Sequence, residues 1–268
     1  MKTYVIALAL LLAPFATLKA EDEAAPQLVQ EVFQSELVYP QEKGEVQLTI
    51  APTWQEQEEG RARQLPLVVE YGITDAWQVG LELNALTDLR TDDGDRARGL
   101  GDLELGTKYS FMNIGGSGFH AAVGVDLTLP LADPDRGLGE GTTELEPYVA
   151  LGRDLPSLNN AHLFGQVALG LVRQTRGDSD EDPAHELSVN TGLIVPMHDF
   201  RLVGELNYAT NRWNHDGDES ELFLTPGLVW DLPGTWELGV GVPIGLTDGA
   251  DDYRVITQLT WEFGGDAD

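Results

Sequence analysis

From Val46 onward apolar and polar residues alternate with a period of two, again and again, with turn residues between the runs. The runs fall at about 46–54, 63–71, 77–86, 100–111, 118–129, 143–153, 161–173, 185–195, 200–210, 220–231, 235–245 and 252–263. Most are about 9–13 residues long, the length a tilted strand needs to cross a bilayer. In 100–111 the large set is Leu103, Leu105, Tyr109 and Phe111, against Asp102, Glu104 and Lys108. In 200–210 it is Phe200, Leu202, Leu206 and Tyr208, against Arg201, Glu205 and Asn207. The last run sets Tyr253, Val255, Leu259, Trp261 and Phe263 against Arg254, Gln258 and Glu262. A β-sandwich alternates too, so the period alone does not specify a membrane.

The connectors discriminate. Short ones at 72–76, 112–117, 154–160, 196–199 and 232–234 take turns with long, charged ones at 55–62, 87–99, 130–142, 174–184, 211–219 and 246–251. That regularity predicts an all-β fold: a transmembrane, antiparallel, up-and-down β-barrel of about 12 strands, both ends in the periplasm. Trp54, Tyr71, Trp77, Tyr109, Phe111, Phe119, Phe200, Trp230, Trp236, Trp261 and Phe263 lie near run ends, where such barrels carry aromatic girdles.

The opening MKTYVIALALLLAPFATLKA reads as a secretory signal over 1–20, with Lys2 before an apolar stretch and Ala20 at the cut. Its apolar run of about ten residues is too short for a spanning helix. Residues 21–45 are acidic and aperiodic, a periplasmic lead-in with a short helical piece around Gln27–Leu37. The barrel then occupies 46–263 and a tail 264–268. There is no cysteine, hence no disulfide and no thiol-linked lipid anchor. Sixteen basic residues against 45 acidic ones give a net charge of −29, which argues against nucleic acid as a partner.

The stretches EYGITDAWQVGLEL (70–83), GLGDLELGTKYSF (99–111), LPLADPDRGLGEG (129–141), ELEPYVALGRDL (144–155) and WELGVGVPIGLTDG (236–249) resemble one outer-membrane family, that of the MetA-pathway of phenol degradation. The resemblance covers nearly the whole mature chain. It implies a barrel that moves small hydrophobic or aromatic molecules, and it brings no catalytic residues with it. Implied partners are outer-membrane lipid and lipopolysaccharide, the barrel-assembly machinery (the final strand ends on aromatic Phe263, with GGDAD after it) and a small-molecule solute.

Strand parity places Glu82, Asp102, Glu104, Lys108, Asp126, Glu144, Glu146, Arg201, Glu205, Glu237 and Arg254 in the lumen as pore-lining candidates, with Glu70 and Glu262 beside them. Carboxylates in a dry core cost many kcal/mol each, so this interior is wet or paired. In a narrow barrel Lys108, Arg201 and Arg254 bridge across to acids and close the lumen, leaving a structural or surface-binding role. In an open one the acidic excess favours cations. The sequence leaves both readings open.

Acidic loop runs such as 92–95, 178–182 and 216–219 offer oxygens to hard cations but match no calcium loop, so no metal or other cofactor is expected. His120 and His162 have lumen parity; His185, His198 and His215 fall at strand ends, turns or loops. No Ser–His spacing suggests a relay, and GDSD at 177–180 lacks the strand–turn–helix setting of an esterase block. The expectation is a non-enzymatic barrel.

Overall fold

The computed structural model describes residues 27–57, 60–139, 141–176, 185–211 and 220–265. The signal segment 1–20, GDSD, the acidic runs 178–182 and 216–219, His215 and most of the tail lie outside the described residues.

Fifteen strands form one antiparallel sheet: β1 Glu45–Ile50, β2 Thr53–Gln57, β3 Gly60–Thr74, β4 Trp77–Thr91, β5 Arg96–Gly99, β6 Leu103–Phe111, β7 Phe119–Leu129, β8 Thr142–Leu155, β9 Ala161–Gln174, β10 Glu186–Pro196, β11 Arg201–Thr210, β12 Ser220–Leu232, β13 Trp236–Gly241, β14 Ile244–Gly245 and β15 Tyr253–Gly264. Three crossings are each split in two (β1/β2, β5/β6 and β13/β14), so the wall has twelve crossings, the number the alternation predicts. β1 pairs with β15, Val46 opposite Phe263 and Leu48 opposite Trp261, and this closes the barrel. Closure leaves no edge strand, the condition for a sheet to survive in lipid.

Two of the breaks sit at Pro52 and Pro243, which have no N–H to give a ladder. Neighbouring backbone groups remain paired there: the Thr257 N–H donates to the Pro52 carbonyl at 3.1 Å and that of Arg254 to the Pro243 carbonyl at 2.8 Å. At the third break Gly101 N–H donates to the Asn84 carbonyl at 2.8 Å.

The wall is apolar outside and polar within. Val69, Leu81, Leu105, Val123, Val149, Leu163, Val167, Leu206 and Leu224 are exposed on the outer face. Gln47, Thr49, Gln78, Lys108, Gln166, Glu205, Asn207, Thr225, Glu237 and Thr260 are buried on the inner one. A water-soluble sheet shows the reverse, so the outer face is solvated by hydrocarbon. Among the described residues no helix is long and apolar enough to span a membrane. The protein is therefore a bacterial outer-membrane barrel.

The start of β1, the end of β15 and the turns 75–76, 112–118, 156–160, 197–200 and 233–235 share one rim, the periplasmic one. There Trp236 stacks on Trp261 with centroids 5.2 Å apart, Trp261 meets Phe263 at 4.4 Å, and Tyr109 meets Phe111 at 5.1 Å. Of the girdle aromatics, Trp54 lies instead toward the loop rim, opposite Val255 and Arg63.

Two connectors depart from expectation. The spans 55–62 and 87–99, read as long loops, are mostly strand, because β2 to β5 run on beyond the apolar band. Charged cross-strand pairs sustain the ladder there: Arg63 faces Asp88, which faces Arg98.

Val149 lies midway along β8 with its side chain outward. Val149→Arg should lower unfolding stability by about 2–4 kcal/mol in lipid bilayers, while Val149→Leu stays near neutral. An unchanged urea midpoint for the arginine variant would mean that this face meets water.

Candidate functional site

The lumen is occupied, at its periplasmic end, by the chain's own N-terminal segment. Residues 27–44 hold no helix and do not remain outside as a lead-in; they thread between the inner faces of the strands. Val29, Val32, Phe33, Leu37 and Val38 bury against Ala122, Ala150, Phe164, Ile194, Val203, Val229 and Ile256. The wall makes room for Phe33 with Gly227 and Gly241, where an added Cβ would stand 2.0 and 2.5 Å from ring atoms.

Polar clamps fix the segment in register. Glu205, 1% exposed on β11, accepts the backbone N–H groups of Phe33 at 2.6 Å and Gln34 at 3.1 Å, and the Ser35 hydroxyl at 2.7 Å. Gln30 N–H donates to Glu237 at 2.9 Å and its amide to Glu262 at 2.8 Å. Arg201 donates to the Leu28 carbonyl and pairs with Asp231 at 2.6 Å and Glu237 at 3.1 Å. Lys108 meets Glu36 at 3.1 Å and donates to the Leu37 carbonyl at 2.9 Å. Gln41 N–H donates to the Gln78 side chain at 2.9 Å. An aperiodic strand of chain has no ladder to satisfy its backbone, and these side chains supply the partners.

Above this floor, toward the loops, lies a cavity of about 460 Å³. Glu31 to Glu36 form part of its lining, and Glu70, Glu82, Glu104, Asp126 and Glu146 line its wall. Arg254 also lines it, held by Asp251 at 2.6 Å with its guanidinium 4.4 Å from the Phe223 ring centroid. On the floor, burial first and then the charges of Glu70 and Glu36 hold the Glu31 carboxyl well above the usual carboxylate range.

The parity assignment thus places Glu82, Glu104, Asp126, Glu146 and Arg254 in the cavity, and Lys108, Arg201, Glu205 and Glu237 beneath it as clamps. Asp102 faces inward but accepts the Ala132 N–H at 2.9 Å, so it holds the 130–141 loop. Glu144 packs over Gly170, nearer the loop rim than Glu146. Among the described residues the expected bridges across the lumen from Lys108, Arg201 and Arg254 do not form. Lys108 and Arg201 grip the inserted segment and near neighbours, and Arg254 pairs with Asp251 on its own chain stretch and with Glu221 on β12 at 3.7 Å.

His120 and His162 flank Asp154 near the periplasmic rim, His120 Nε2 at 2.9 Å from one carboxylate oxygen and His162 Nδ1 at 2.9 Å from the other. Tyr39 of the inserted segment reaches His162 Nδ1 at 3.0 Å. Burial, then the Asp154 charge, raises the Tyr39 phenol above its ordinary value, so it stays neutral. The ligand atoms of the two histidines and Asp154 lie within 4.8 Å of one another, a spacing that suits a metal ion. The protons do not fit one. His120 Nδ1 accepts the Asn113 N–H at 2.9 Å, so the neutral ring carries its proton on Nε2, where a metal needs a lone pair. The cluster is a hydrogen-bonded latch for Tyr39.

The inserted segment was not legible from period or motif. Its signal was a set of bulky apolar residues at Val29, Val32, Phe33, Leu37 and Val38 in an otherwise acidic stretch, matched by inward glycines at 152, 227 and 241.

Fold and lumen together define a closed outer-membrane β-barrel of porin architecture. The profile of the family described by the MetA-pathway of phenol degradation matches residues 86–263, and the chain belongs to that family. Among solved structures it is similar in fold to NanC porin (TM-score 0.56, 10% identity, 81% of this chain and 98% of that one). KdgM porin gives 0.52 at 12% identity over 80% and 99%, and has also been solved in complex with disordered oligogalacturonate. The translocator domain of the autotransporter NalP from Neisseria meningitidis gives 0.51 at 10% identity over 82% and 89%. Comparison with curated proteins returns no match.

Glu31 makes docking of the segment pH-dependent. Its value is raised on docking, so the favourable contribution is complete below the undocked carboxylate value and is lost as pH rises through the docked one. Protease access to residues 27–44 should therefore increase as pH rises above the ordinary carboxylate range and through the raised Glu31 value, and Glu31→Gln should flatten that profile. A rise of equal size in the variant would show that another group governs docking.

Proposed function

We propose that the protein is a passive outer-membrane channel whose resting form is closed by its own N-terminal segment. The observation that carries this reading is the capture of the Phe33 and Gln34 backbone by Glu205 inside the barrel. A wall built only for structure needs no cavity of about 460 Å³ above such a floor. When the segment leaves, its partners Glu205, Glu237 and Glu262 face water and add to the carboxylates already lining the path.

The solutes that suit this path are small and neutral or cationic. Carboxylates at 82, 104, 126 and 146 repel anions, so the polyuronate seen with KdgM porin does not carry over. Phe223 adds an aromatic ring to the wall of the same cavity, which supports small aromatic molecules as cargo, in keeping with the family's description.

Single-channel recording in planar bilayers tests the reading. The full mature chain should show rare, brief openings, and a variant lacking residues 27–41 should conduct steadily with a preference for potassium over chloride. Equal conductance of the two proteins, or a preference for chloride, would reject a channel closed by this segment.

A further inference from the structure

Basic residues are scarce in this chain, 16 against 45 acidic ones, yet five arginines gather on one part of the outer wall. Arg61 and Arg63 lie on β3, Arg90 on β4, and Arg96 and Arg98 on β5. The register makes them neighbours: Arg61 faces Arg90, Arg90 faces Arg96, and Asp88 stands between Arg63 and Arg98. They point outward. Arg61 and Arg63 share the parity of exposed Val69 and Tyr71, while Ala62 between them is buried. The opposing strand keeps the same sense, with Thr87 buried and Arg90 exposed.

Their height places them at a membrane surface. Arg90 stands 13 positions along β4 from Trp77 of the periplasmic girdle. A rise of about 3.3 Å per residue at a tilt of about 40° lifts it roughly 33 Å, above an apolar band about 25 Å tall. Trp54 supplies the interfacial ring at this level, with the Arg63 guanidinium 4.3 Å and that of Arg61 6.0 Å from its centroid. Among the described residues the acids beside the arginines are engaged: Asp88 by Arg96 at 2.8 Å, and Glu56 by the Trp54 indole at 3.3 Å. Asp92, Asp93 and Asp95 belong to the hairpin tip, farther out.

We infer that Arg61, Arg63, Arg90, Arg96 and Arg98 form a docking face for the phosphate groups of lipopolysaccharide in the outer leaflet. Guanidinium groups bind phosphate oxygens in pairs, and an arginine at a lipid surface gains more than one in bulk water. A chain of net charge −29 is otherwise repelled by a phosphorylated leaflet unless divalent cations bridge the two. This face meets the phosphates without a bridging ion, beside the apolar wall that holds the acyl chains.

The full-length protein, purified in neutral detergent with EDTA, would be titrated with bis-phosphorylated lipid A and with its dephosphorylated form, bound lipid being counted by native mass spectrometry. The wild type should favour the phosphorylated lipid, and the triple variant Arg63→Gln, Arg90→Gln, Arg98→Gln should bind it roughly a hundredfold more weakly. Equal binding of the two lipids by the wild type would overturn the proposal without reference to any variant. So would phosphate-dependent binding that appears only when magnesium replaces the EDTA, which would assign the contact to divalent cations bridging acidic loops and phosphates, and not to arginine.

Discussion

A carboxylate sealed inside a membrane barrel must find donors, and Glu205 finds them on the protein's own N-terminus. Two consecutive backbone N–H groups and a serine hydroxyl converge on it, with Asn207 at 3.3 Å as a further donor. Removing the segment leaves Glu205 with Asn207 and water; removing the carboxylate leaves the segment's backbone unpaired at Phe33 and Gln34. The two solve each other's desolvation problem. Each of the remaining clamps, from Arg201 to Lys108, repeats that exchange at another point along residues 27–44.

The barrel that surrounds this contact follows from a separate constraint. In hydrocarbon every backbone group must be paired within the protein, and a closed sheet meets that demand with side chains free to differ on its two faces. The outer face is given to Val and Leu. The inner face is left polar, and its polarity is what permits a lumen and a segment held in it. The two rims differ as well: aromatic rings crowd the periplasmic side, whereas arginines of β3 to β5 mark the side facing outward.

Most of the wall was legible in the sequence because a period of two survives any local irregularity. All twelve crossings fall where alternation placed them, and the inward acids Glu82, Glu104, Asp126 and Glu146 line the cavity as parity requires. Parity says nothing about a segment that belongs to no sheet. Residues 27–44 read as an acidic tail because their partners lie on distant strands, Glu205 for Phe33 and His162 for Tyr39. The loop-like reading of 87–99 failed for a related reason: above the apolar band, strands are sustained by charge pairs such as Arg96 with Asp88, which carry no hydrophobic signal.

Because the chain has no cysteine, one engineered pair can report the central contact without interference. The Ser35 hydroxyl and the Asn207 amide lie 3.2 Å apart. In Ser35→Cys, Asn207→Cys protein assembled in native outer membranes, mild oxidation should yield a disulfide-linked 35–207 peptide by mass spectrometry, lost on reduction. Two free thiols that react with a water-soluble maleimide and never cross-link would show the segment outside the lumen and contradict a barrel closed from within.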